Sequence, residues 1–476
     1  MDRPGVGNAH RCRPHSACSR GHCHSKKKGR SAMKTYPVVV VGAGPIGLAA
    51  AAHLTETGSD VVVLERGPSA GSAVSEWNHV RLFSPWSEVV DPAAARLLEP
   101  TGWTAPDGDT YATGREWVEQ YLAPLAAVLG DAVRTDSEVV GVARHGRDRV
   151  VDAGRDTEPL SVHIRHSDGS EERILARAVV DASGTWGSPN PLGSEGLPAI
   201  GEKVASDRIV YRVPDLTDPD VRSTFAGKHI VIAGSGHSAL TAIITFAELA
   251  ADEPGTTLTW AVRRGVTAEV FGGGEADELA ARGALGQRAK KAVDDGFLTV
   301  VSGFRTETVA AEGDRLSLVG DTGTRIENVD RIVALTGFRP ELSWLSEVRL
   351  DLDPTLQAPR FVAELVDPNM HSCGSVSPHG VEELTQPEPG LYLVGMKSYG
   401  RAPTFLAMTG YEQVRSIAAE LAGDHEGARK VELTLPDTGV CGGAGLFDEP
   451  DAPSTGGCCG APAAPELITL GAPSSK

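Results

Sequence analysis

Two glycine-spaced segments carry the most legible chemistry of this chain. Gly42-Ala43-Gly44-Pro45-Ile46-Gly47 reads GxGxxG, and Gly234-Ser235-Gly236-His237-Ser238-Ala239 reads GxGxxA. In such a motif the first glycine permits a tight turn, the second lets the backbone approach a pyrophosphate, and the third position lets a helix pack close to a strand. The N–H groups and positive dipole end of that helix then face the phosphates. Glu65, 23 residues after Gly42, is placed to accept hydrogen bonds from an adenosine ribose. At the corresponding place beyond the second motif stand Arg263 and Arg264. Two guanidiniums hold a 2′-phosphate through bidentate hydrogen bonds and no carboxylate repels it, so NADPH is expected over NADH.

The thiols form a second candidate set. None of the seven cysteines stands in a CxxC pair, which argues against a disulfide scaffold and a thioredoxin-type redox centre. Cys441 and the vicinal pair Cys458-Cys459 lie in a Gly/Pro/Ala/Ser-rich stretch, while Cys373 reads as a buried, inert thiol. Cys12, Cys18 and Cys23 accompany four histidines in the first 32 residues at spacings that match no zinc finger.

The elements that must position these groups are strands and helices in alternation. Val38–Val41 runs into the first glycine motif and an Ala-rich helix, and Val61–Leu64 follows and ends at Glu65. Residues 229–233 run into the second motif and another helix, and residues 257–262 end at Arg263. β-branched runs alternating with helices predict an α/β protein with parallel sheets. The first glycines of the motifs are 192 residues apart, a distance suited to two nucleotide-binding domains.

The ends differ from this body. Residues 1–32 carry a net charge of +7 against −25 for the rest, and Met33 leads directly into the first strand. That arm is open to reading as a misassigned start, a disordered tail or a metal-binding segment; residues 436–476 read as a flexible tail. A formal charge of −18 excludes a nucleic-acid-binding surface, because phosphate contacts need clustered Lys and Arg. No apolar stretch is long enough to span a bilayer and no apolar region follows the basic N terminus, so the expected location is the cytoplasm.

With the motifs in place, the chain over residues 33–430 resembles the two-dinucleotide-binding-domain flavoproteins, the superfamily of thioredoxin reductase, flavin-containing monooxygenases and Baeyer–Villiger monooxygenases. The resemblance implies a glutathione/thioredoxin reductase-like fold of two Rossmann-like domains. FAD sits at Gly42, and the NADPH domain (201–330) is inserted into the FAD domain (33–200 and 331–435). Residues 178–185 and 332–340 look like the family's ATG-like return strands. Gly390–Gly395 resembles the strand that comes back to the flavin, but Met396-Lys397 replaces the Asp many reductases place there. Gly395 and Lys397 are thereby implied at the cofactor, with Lys397 near the FAD phosphates or an anionic reduced flavin, or alternatively in solvent. A helix starting near Thr404 should aim its N-terminal N–H groups at the flavin.

The flavin-containing monooxygenase fingerprint is degenerate here, with Ala199, Ala205 and Ile209 where aromatic, His and aromatic residues belong. Closer likeness lies in Glu76–Trp86, Phe271–Asp277 and Gly395–Phe405, which resemble flavoprotein monooxygenases of bacterial arsenic-resistance operons. There Arg81 and Arg401 offer positive charge, and Trp77, Phe83, Trp86 and Phe405 offer apolar walls. The resemblance implies NADPH-driven oxygen transfer from a flavin C4a-hydroperoxide to a thiol or trivalent arsenical, with Cys441, Cys458 and Cys459 as metalloid thiols. A small-molecule substrate and O2 are the expected partners, and a homodimer is open to it. The competing readings are a flavin reductase or oxidase without oxygen transfer, and a flavin-binding metalloid sensor or chaperone.

Overall fold

The computed structural model describes residues 36–266, 268–272, 274, 280–367, 378–403 and 405–433. All seven cysteines, Thr404 and both tails lie outside this set.

The first sheet is parallel and runs in the order β16-β7-β1-β2-β3, with β1 at Val38–Val41, β2 at Val61–Leu64, β3 at Val133–Arg134, β7 at Ala178–Asp181 and β16 at Leu391–Leu393. All four valines of β1 are buried, as a strand covered on both faces requires. One face is covered by the helix Pro45–Glu56, opened by a proline at its first position, where a fixed φ and a missing N–H cost nothing. The helix Ala407–Ala422 packs across it. A Cβ on Gly410 would stand 2.5 Å from Ile46 Cδ1, so the crossing needs a glycine there. The other face carries the antiparallel sheet β4-β5-β6, at Ser137–Arg144, Leu160–His166 and Glu171–Ala176, through a shared apolar layer of Val39, Val41, Val162 and Ile164.

The second parallel sheet runs β11-β10-β9-β15-β8, built from Ile209–Val210 (β8), His229–Ala233 (β9), Thr257–Val262 (β10), Thr299–Ser302 (β11) and Arg331–Ala334 (β15). The helices His237–Asp252 and Ala280–Asp294 pack together over it. An antiparallel sheet of Thr306–Glu312, Arg315–Gly320 and Arg325–Val329 precedes β15.

The two sheets repeat one plan. β7 pairs in parallel with β1, and β15 pairs in the same way with β9. The segment expected to open the returning FAD portion at residue 331 therefore begins with a strand of the second sheet, since residues 331–334 complete the hydrogen bonding of β9. The chain leaves β7 and β15 by two connections that run antiparallel: Asn190 N donates to Gly337 O and Arg339 N donates to Ser188 O, each at 2.9 Å.

Candidate functional site

At the first motif, Gly42 has φ +98°, and a Cβ there would lie 2.9 Å from Ala182 O at the end of β7. A Cβ on Gly47 would lie 1.9 Å from Gly42 O, whereas one on Gly44 meets nothing within 4 Å. The outer glycines are thus fixed by the protein's own packing, and the middle one faces open space. Gly44 is the N-cap of the helix and supplies no side-chain cap, so first-turn N–H groups are available to an anion. Glu65 is tied to this turn: its Oε2 accepts from Ala43 N and its Oε1 from Gly67 N, both at 2.8 Å. A carboxylate oxygen has a second lone pair, so these bonds leave acceptor capacity for a ribose hydroxyl.

The second motif repeats this geometry. Gly234 has φ +125° with a Cβ position 2.2 Å from Leu335 O beyond β15, and Gly236 again meets nothing. Gly236 caps its helix at φ −82° and ψ 178°, against −80° and −175° for Gly44. Ala239 occupies the third position fully buried. The indole of Trp260 donates to Gly234 O at 2.8 Å, locking the turn onto β10. Arg263 and Arg264 follow directly at the end of that strand; Arg263 is exposed and reaches Ser194 O at 3.4 Å. Both sites therefore fit dinucleotides by the same criteria: an open middle glycine, an uncapped helix end, and a polar residue at the tip of the next strand.

The segment after β16 departs from expectation. Gly395, at φ +66°, lies against Ile46 of the first motif and donates its N–H to Gln413 Oε1 at 2.8 Å. Lys397 is not in solvent. Its side chain is fully enclosed, with Nζ 2.6 Å from Asp181 Oδ2, 3.1 Å from Ser183 Oγ, and 4.6 Å from the Trp344 ring centre. An ammonium so placed is committed to protein partners. The following helix begins at Ala407.

Three of the aromatics grouped by likeness share one apolar cluster, Trp86 inside it and Trp77 and Phe405 packed against it. Trp86 is core, Trp77 packs on Trp117 at 6.3 Å between ring centres, and Phe405 meets Tyr399 edge-on at 5.0 Å. Exposed Arg81 binds Tyr111 O, and Arg401 donates to Gln357 Oε1. Phe83 meets His237, the first residue of the second motif's helix, at 5.3 Å, so it joins the two domains.

Around that seam are residues the sequence did not single out. Trp186, five residues beyond β7, stacks on Phe338, four beyond β15, at 5.0 Å. Arg212 lies 4.6 Å from the Trp186 ring centre and 3.3 Å from Glu76, whose Oε2 also accepts from the Trp186 indole. His79 sits beside Asp215 at 3.8 Å with both ring nitrogens buried. Burial holds this imidazole below its usual pKa, with Asp215 opposing. The signal available in the sequence was position alone: these aromatics directly follow the two strands that end beside the glycine turns.

A family model described as pyridine nucleotide-disulphide oxidoreductase matches residues 39–369, a span that holds both glycine turns. Digeranylgeranylglycerophospholipid reductase from Methanosarcina acetivorans is 26% identical over 168 residues, 31% of this chain and 41% of the relative. The chain thus spans about two fifths of the length of that curated protein. Bacillithiol disulfide reductase from Bacillus cereus is similar with a TM-score of 0.60 and 17% identity, covering 82% of this chain and 99% of that one. A flavin-containing monooxygenase from Stenotrophomonas maltophilia gives 0.50 and 23%, covering 82% and 98%. At these identities the likeness establishes a shared fold.

Proposed function

This chain belongs to the pyridine nucleotide-disulphide oxidoreductase family, and on that premise we propose that it is an FAD-dependent monooxygenase driven by NADPH. One NADPH, one proton and one O2 yield NADP+, water and one oxygen atom transferred to a soft nucleophile, a thiol or a trivalent arsenical. The observation that carries the reading is the pair of equivalent glycine turns, each with its first glycine closed on a strand carbonyl and its middle glycine facing open space.

The residues divide the work. Gly42, Gly44 and Gly47 admit the FAD pyrophosphate, and Glu65 holds the adenosine ribose. Gly236 and its helix end do the same for NADPH, with Arg263 and Arg264 on the 2′-phosphate. FAD, once bound, supplies a ring that accepts hydride and reacts with O2. Phe83, Trp186 and Phe338 place apolar surface at the seam, where exclusion of water protects a reactive oxygen donor. Oxygen rather than a disulfide is favoured as acceptor because the sequence has no CxxC, and its one CxxxxC spacing, Cys18 and Cys23, lies in the basic arm ahead of the first strand. Cys441, Cys458 and Cys459 are proposed to deliver the thiophilic substrate. Coupling tests this: NADPH oxidation should match substrate oxygenation one for one, and quantitative release of H2O2 with no oxygenated product would leave a plain oxidase.

A further inference from the structure

We propose that Lys397 is a positioning residue for FAD, acting through Asp181 and Ser183 on the wall that closes the Gly42 turn. The inference rests on the reading of that turn as the FAD site.

Asp181 ends β7 in register with Val41, the residue before Gly42. Its Oδ1 accepts from Ser183 N at 3.1 Å and from Ser183 Oγ at 2.6 Å, bending the chain just after the strand. Its Oδ2 faces the Lys397 ammonium, and Ser183 Oγ accepts from that ammonium. Ala182 and Ser183 are the residues against which Gly42 packs: a Cβ at Gly42 would lie 2.9 Å from Ala182 O and 3.1 Å from Ser183 Cα. Asp181 and Lys397 are wholly buried while Ser183 is exposed. A charged link therefore runs from the inside of the protein to the surface beside the pyrophosphate turn.

The chemistry explains why a lysine stands there. Two buried charges are costly to desolvate, and a pair of apolar residues would usually stabilise a core as well or better. What an apolar pair cannot do is hold a serine turn in place. The ammonium reaches one oxygen of Asp181 and the Ser183 hydroxyl at once, and Trp344 gives its charge an aromatic face. Lys397 sits in the short 3-10 helix Gly395–Tyr399, whose first residue touches Ile46 of the first motif. The return strand and the dinucleotide turn are thereby braced on one another from both sides.

The test is FAD affinity of the apoprotein, measured by quenching of FAD fluorescence, alongside its thermal midpoint. Wild type is titrated first, and no binding there would refute the FAD site itself rather than this proposal. The deciding variant is Asp181→Leu with Lys397→Met, which removes both charges and keeps an apolar filling. It should recover much of the stability lost in Lys397→Met alone, yet bind FAD about tenfold or more weakly, because Ser183 loses both its acceptor and its donor. An FAD affinity within about twofold of wild type in the folded double variant would overturn the proposal, leaving the pair a core filler. If the double variant does not fold, Ser183→Ala decides. It should weaken FAD about three- to tenfold in a protein that still folds, and an unchanged affinity would overturn the proposal.

Discussion

The ammonium of Lys397 lies 2.6 Å from the carboxylate of Asp181, and neither side chain has exposed surface. Removing one member of such a pair strands the other in the interior, which costs about 3–5 kcal/mol. Lys397→Met should therefore lower the unfolding free energy by about that amount, and in a double-mutant cycle with Asp181→Leu the combined loss should be smaller than the sum. Urea denaturation of the apoprotein checks this; strictly additive losses would mean the two groups do not interact.

The glycine turns separate binding from folding. At Gly44 φ is −80° and an added Cβ meets nothing within 4 Å, so Gly44→Val should purify folded, with a wild-type thermal midpoint, and colourless. At Gly47 the same atom would stand 1.9 Å from Gly42 O, so Gly47→Val should fail to fold. Full flavin occupancy in Gly44→Val would move the FAD site elsewhere.

Arg263 and Arg264 are expected to set coenzyme choice. Loss of charge-assisted contacts worth about 1.5–3 kcal/mol corresponds to a ten- to hundredfold loss of affinity. The double Ala variant should lose that factor for NADPH and keep its affinity for NADH, measured as the two dissociation constants. An unchanged ratio would show that the 2′-phosphate is read by other residues.

His79 gives a pH dependence. Its folded pKa lies below the ordinary value because burial disfavours the cation, Asp215 opposing. The unfolded chain binds a proton at this residue that the folded chain resists, so stability is present above the ordinary pKa of about 6.5 and is lost as pH falls below it. His79→Leu should flatten the fall in thermal midpoint between about pH 7 and 5; an unchanged slope would assign that fall to other groups.

Much of the site was legible because glycine motifs report backbone geometry, and backbone geometry is local. The four-valine strand, the proline-opened helix and Glu65 at the next strand end are read from adjacent residues. The buried pairing of Lys397 was not legible, since its partner Asp181 is 216 positions away. The seam of Glu76, His79, Trp186, Arg212 and Phe338 was illegible for the same reason: five positions scattered over the chain meet only when both domains have formed.

The claim of oxygen transfer is tested most directly with isotopic oxygen. Enzyme reconstituted with FAD is supplied with NADPH, a trivalent arsenical or a thiol, and ¹⁸O₂ in unlabelled water, and the product is read by mass spectrometry before oxygen exchange. The account predicts one ¹⁸O per product molecule and one NADPH consumed for each. Unlabelled product, or labelled H2O2 as the sole fate of O2, would contradict it.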